Sequence, residues 1–183
     1  EDDLKPALKR IAESYDTKRL NLSICGPATI IRYVNLPRMN NDELKQALKF
    51  ETANLIPFPL NEINLDSYIL KQDLPDNKML VLLAAAKKEF ISQRLKLMEE
   101  TGLKANVIDI DSIAIINAFD FNYSTQSNDF KNKAIALLNI GATITNLNIL
   151  EDGIPRLSRD IPIAGNNFTQ RLKDAFGLSL QAA

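Results

Sequence analysis

The 183 residues predict a mixed α/β fold in which strands alternate with amphipathic helices and a small α+β unit is inserted between flanking parts. Three observations support that class. Apolar residues recur at helical spacing in separate stretches: Leu4, Leu8, Ile11 and Tyr15; Leu44, Ala47, Leu48 and Leu55; Ile91, Leu95 and Met98. Between them lie short alternating or continuously apolar runs, such as Leu20, Leu22 and Ile24, or Met79 to Ala86, which suit strands. Glycine, proline and asparagine clusters punctuate the junctions.

Taken in order, residues 3 to 15 form an amphipathic helix, and the strand through Leu20 to Ile24 ends at Gly26-Pro27. A chain that opens on a helix, with no earlier strand for it to cover, reads as part of something longer. Thr29 to Leu36 is a second strand closed by Pro37. Asn40 followed by Glu43 three residues later is a capping-box start, and the helix from Asp42 runs to Leu55, where Pro57 stops it. On that helix Glu51 projects within the apolar stripe and Phe50 away from it. A carboxylate over a core face needs a partner, for which Arg32 is a candidate, and an outward aromatic marks a second contact surface.

The two prolines of Ile56-Pro57-Phe58-Pro59-Leu60 enforce an extended segment. Strands at Ile63 to Leu70 and Lys78 to Ala86 follow, joined by the turn 73–77, which completes a strand-helix-strand-strand unit of about 60 residues. Glu89 to Thr101 is a helix ended by Gly102, Asn106 to Ile110 a short strand, and Ser112 to Phe119 a helix apolar on nearly every side and so expected to be buried. Asp109 and Asp111 are spaced as a metal pair, although Asp111 capping the next helix with Asp109 in solvent is the simpler reading. Asn122 to Asn132 is polar and aperiodic, as a linker is.

The remainder is built around Lys133 to Asn148. Ala134 to Leu138 reads as a strand buried on both faces, and Ile144, Leu147 and Ile149 alternate along a second strand. Asn139-Ile140-Gly141-Ala142-Thr143 is the turn between them. Its small residues let backbone N–H groups approach an anion such as phosphate, though an ordinary glycine hairpin is the simpler reading of this window alone. After the Asp152-Gly153 turn, Pro155 to Ile163 returns as a third antiparallel strand. Gly165 and an Asn cap then open a helix with Phe168, Leu172 and Ala175 facing inward and Gly177 ending it. Helix N-termini attract anions, so two anion-friendly elements are expected to converge.

Composition narrows the chemistry. With 22 basic and 23 acidic residues there is no strong field for nucleic acid or an anionic surface. Cys25, alone, permits no internal disulfide and reads as a small hydrophobe near a strand end. The absence of histidine removes Ser-His-Asp and Cys-His catalysis and the commonest zinc ligand. No apolar run approaches the length of a membrane helix and no signal-peptide pattern opens the chain, so a soluble cytoplasmic protein is expected.

Three runs, LPRMNNDELKQALKFETANLIPFPLNEINLD, LLAAAKKEFISQRLKLMEETGLKANVIDIDSIAIINAF and LLNIGATITNLNILEDGIPRLSRDIPIAGNNFTQRL, resemble the type IV pilus assembly protein PilM family. That resemblance covers nearly the whole chain. It implies part of an actin-like (ribonuclease H-like) ATPase fold related to FtsA, with an inserted strand-helix-strand-strand subdomain. Residues 1–27 and 87–120 would belong to subdomain 1A, 28–86 to 1C, 121–133 to a linker and 134–183 to the start of 2A. ATP with magnesium would lie between lobes in the intact protein, contacted by Asn139, Gly141, Ala142, Thr143, Thr145, Gly165 and Asn166.

The implied partner is the cytoplasmic amino-terminal tail of the inner-membrane protein PilN, in a groove that Phe50, Ile56, Pro57 and Phe58 would border. Other inner-membrane pilus components would be reached through the same scaffold. Asn139 stands where the family usually has Asp, which keeps an oxygen donor but loses a charge. The first phosphate loop would precede Glu1 and the adenosine segment would follow Ala183, so this segment alone is expected to bind ATP weakly or not at all. FtsA-like division scaffolding and a small-molecule kinase of the same superfamily are the alternatives. The kinase would need a carboxylate base and both phosphate loops.

Overall fold

The computed structural model describes residues 4–124, 132–180 and 182. It divides into two compact units, Glu1–Ile110 and Asp111–Ala183. In chain order the first contains α1 (Leu4–Ser14), β1 (Arg19–Ile24), β2 (Thr29–Pro37), α2 (Asn41–Leu55), β3 (Ile63–Leu74), β4 (Lys78–Lys87), α3 (Lys88–Glu100) and β5 (Lys104–Ile110). The second contains α4 (Asp111–Phe119), β6 (Ala134–Ile140), β7 (Thr145–Glu151), β8 (Ile154–Ile161) and α5 (Gly165–Phe176).

In the first unit β1 and β5 pair in parallel. Parallel neighbours need a crossover, and everything from β2 to α3 lies within it. Ala12 of α1, Met98 of α3 and Leu103 form the buried cluster there, joined by Leu8, Leu20 and Leu22. An ion pair between Lys5 Nζ and Glu100, 2.7 Å long, ties α1 to α3.

The inserted strands form an antiparallel sheet in the order β2-β4-β3. Central β4 is nearly all apolar, and Met79, Val81 and Leu83 on one face pack against Leu44 and Leu48 of α2. Each such side chain contributes about 1.5–3 kcal/mol through burial. The start of α2 is fixed locally: Asn40 Oδ1 accepts from the Asp42 and Glu43 N–H groups, and Glu43 Oε2 accepts from the Asn40 N–H at 2.8 Å. At the other end Ile56 turns extended, as the following Pro57 demands.

The second unit is an antiparallel sheet, β6-β7-β8, with α4 packed on β6 and β7. Asp120–Ser124 adds a wider helical turn after α4, and its Tyr123 stacks on Phe119 at the end of α4. Part of the expected linker is therefore helical, and residues 125–131 lie outside the described set.

Burial in this unit departs from expectation in four elements. β6 is an edge strand rather than one buried on both faces, with Leu138 58% exposed. A run of apolar residues does not reveal whether a neighbour covers the second face. On β7 the buried side chains are Thr145, Asn146, Asn148 and Leu150, while Leu147 and Ile149 are half-buried. Partners across the strands hold both ends of the Asn146 amide and the oxygen of Asn148, which offsets much of the cost of burying them. Helix α5 buries no side chain, so Phe168 (59% exposed), Leu172 and Ala175 do not face inward within this unit. Helix α4 is likewise only part-covered, with Ser112 and Ile116 buried.

Candidate functional site

The hairpin turn between β6 and β7 is closed by the Gly141 N–H donating to the Ile144 carbonyl at 3.1 Å. A Cβ on Gly141 would stand 2.8 Å from that same oxygen, so the turn admits only glycine there. Helix α5 meets this turn head-on. The Gly165 N–H donates to the Gly141 carbonyl at 2.9 Å and the Asn166 N–H to the Ala142 carbonyl at 2.8 Å. Thr145 Oγ1 donates to the Ile163 carbonyl at 2.6 Å, fastening the segment that leads into the helix. The two anion-friendly elements do converge.

Their roles differ from the pattern of two fingers on one phosphate. The leading N–H groups of α5 hold the loop, so they are not open to a ligand. Among the described residues nothing accepts from the N–H of Ala142 or Thr143, both exposed at the tip. Those two donors are the ones an anion would meet. Capping of α5 also departs from expectation. Ala164 is the buried N-cap, and Asn167 reaches back to accept from the Ala164 N–H at 2.9 Å.

Asn139, at the end of β6, lies opposite Asn146, which lies opposite Asp160. Asn139 Nδ2 donates to Asn146 Oδ1 at 3.2 Å, and Asn146 Nδ2 donates to Asp160 Oδ1 at 2.7 Å. Two residues along, on the same face, Ser158 Oγ donates to Asn148 Oδ1 at 2.6 Å, while Asn148 Nδ2, fully buried, finds no acceptor among the described residues. Asn146 and Asp160 escaped the sequence reading. Their signal was polar residues spaced by two on a central strand and its neighbour, which is legible only once the register is known.

Phosphates and a hydrated divalent cation fit this donor set. Two outward N–H groups suit phosphate oxygens, and Asn139 Oδ1 is an acceptor to which the waters bound to magnesium can donate.

In the first unit the residues expected to border a groove separate. Phe50 is 80% exposed on α2, whereas Ile56 is 2% exposed and packs with Ile63 and Ala85. Pro57 is exposed, and half-buried Phe58 joins the Ile56 cluster with Lys87 Nζ 4.9 Å above its ring. Ile56 thus offers no surface. The side chain of Glu51 lies outside the described set; Arg32 Nη1 donates to the Ile31 carbonyl. Asp109 accepts from the Ile110 N–H, and among the described residues no three metal-ligating side chains gather. Cys25 is half-buried just beyond β1.

A protein-family model described as type IV pilus assembly protein PilM matches residues 1–183. The chain belongs to the PilM family. Among solved structures it is similar to a chain of a PilM-PilN type IV pilus biogenesis complex, with TM-score 0.81 and 24% identity over 98% of this chain and 54% of that one. It is also similar to the cytoplasmic domain of EpsL, an inner-membrane component of the Vibrio cholerae type II secretion system, with TM-score 0.55 and 12% identity over 93% of this chain and 59% of that one. At these identities the likeness is one of fold. The chain spans about half the length of these two solved relatives. Within the family frame, the hairpin turn and the head of α5 are the elements that the resemblance assigned to nucleotide.

Proposed function

We propose that this chain is part of a cytoplasmic, actin-like scaffold of type IV pilus assembly, which binds the amino-terminal tail of the inner-membrane protein PilN and contacts ATP in the intact protein. The observation that carries the reading is membership of the PilM family along all 183 residues. The fold shared with a chain from a PilM-PilN complex supports PilN as the partner. Attachment to the membrane then runs through that partner, consistent with the finding that no helix among the described residues is long and apolar enough to cross a bilayer. In this reading residues 1–27 and 87–120 are part of subdomain 1A, 28–86 form 1C, and 134–183 begin 2A.

Phe50, Pro57 and Phe58 border the partner surface, with Ile56 supporting it from beneath. The Gly141–Thr143 turn takes the phosphates through the Ala142 and Thr143 N–H groups, and Asn139 faces the cation. Gly165, Asn166 and Thr145 keep that turn in shape. Magnesium, when bound, would offset phosphate charge.

Phe50 allows a clean test because it is exposed, so replacing it leaves the core intact. Phe50→Asp is expected to weaken binding of a fluorescent PilN amino-terminal peptide about tenfold in a polarisation titration, with an unchanged melting curve. Equal affinity for the wild type and the variant would remove Phe50 from the surface. No binding by either would remove PilN as the partner.

A further inference from the structure

The side-chain bonds from Asn139 through Asn146 to Asp160 have a direction that the residues themselves impose. A carboxylate only accepts hydrogen bonds, whereas an amide can present either end. Asp160 Oδ1, accepting at 2.7 Å, therefore draws the NH2 group of Asn146 toward β8 and turns its oxygen toward β6. That oxygen in turn draws the NH2 group of Asn139 at 3.2 Å, and no described residue claims the remaining Asn139 Oδ1. Asn146 is buried, at 2% exposure, so water does not compete in the middle of the chain. Asn139 is exposed two residues before Gly141.

We propose that Asp160 is a positioning residue which, through Asn146, holds Asn139 with its oxygen outward as the acceptor for the hydrated divalent cation of a bound nucleotide. Without that orientation an asparagine presents NH2 as readily as oxygen, and an NH2 group repels a cation. A single negative charge on β8 thus fixes the polarity of a neutral ligand on the opposite edge of the sheet. This rests on the nucleotide reading given above.

The test uses full-length protein, ADP, and Mg2+ or Mn2+. In Asp160→Asn the residue at 160 no longer dictates direction, while its size is kept. The Asn139 side-chain amide signals in a nitrogen-15 NMR spectrum should shift and exchange faster in the ligand-free variant. The gain in ADP affinity on adding Mg2+ should fall about tenfold, with metal-free ADP affinity unchanged. In the wild type, Mn2+ with ADP should broaden the Asn139 amide.

An Asn139 amide indifferent to Asp160→Asn would overturn the relay. A wild type in which Mn2+ and ADP perturb the Ala142 and Thr143 backbone amides but leave Asn139 untouched would overturn the proposal and leave the nucleotide reading standing. If ADP perturbs neither, the nucleotide reading falls and the proposal with it.

Discussion

Gly165 does not occupy the left-handed backbone region that usually accounts for a glycine. Contact explains it instead: a Cβ there would lie 3.2 Å from the Gly141 carbonyl oxygen and 3.8 Å from the Ala142 Cα. Alanine is the better helix former by about 1 kcal/mol, so propensity and packing make opposite forecasts for Gly165→Ala. Packing should win, because the displaced group is backbone already fixed by two hydrogen bonds. The variant is expected to lose about 1–2 kcal/mol in a denaturant titration, and a gain in stability would show that α5 does not press on the turn. For Gly165 only the residue type was legible beforehand. The small residues marked a tight approach, and only the fold says what approaches.

At the scale of elements, legibility followed how local the cause is. Helix α2 was readable from Asn40, Glu43 and Pro57 because its cap, stripe and stop all lie within its own sequence. Its inward Leu44 and Leu48 and outward Phe50 followed from the same 3.6-residue period. The β6-β7 hairpin was readable as a hairpin, yet its burial was not, since edge position and the partners of Asn146 and Asn148 depend on β8 and α4.

The α1-α3 contact could not be read from sequence either, because Lys5 and Glu100 stand far apart in the chain. The hydrogen bond from Lys5, followed by its charge and that of Lys96, holds the Glu100 carboxyl below the usual glutamate range, with burial opposing. A carboxylate with a lowered folded value contributes stability that is fully present above its unfolded value and lost as pH falls through the folded one. Lys5→Ala should therefore be slightly less stable than wild type at neutral pH, and the two should converge in acid. A constant gap across that acid range in thermal melts would mean that Lys5 acts through packing alone.

For the molecule as a whole, two units carry two tasks in the proposed scaffold: the first offers a partner surface around Phe50, the second a clamped turn for phosphate. Family membership was legible from three runs lying between Leu36 and Leu172, and the family model matches residues 1–183. The division of labour within the turn was not legible, since sequence marks Gly165 and Asn166 as anion donors while their N–H groups hold the loop.

The most direct test of that division is a backbone amide NMR titration of full-length protein with magnesium and ADP. The Ala142 and Thr143 signals should move first and farthest, with Gly165 and Asn166 nearly still because their donors are already engaged. Large shifts at Gly165 and Asn166 with Ala142 and Thr143 unmoved would contradict the account.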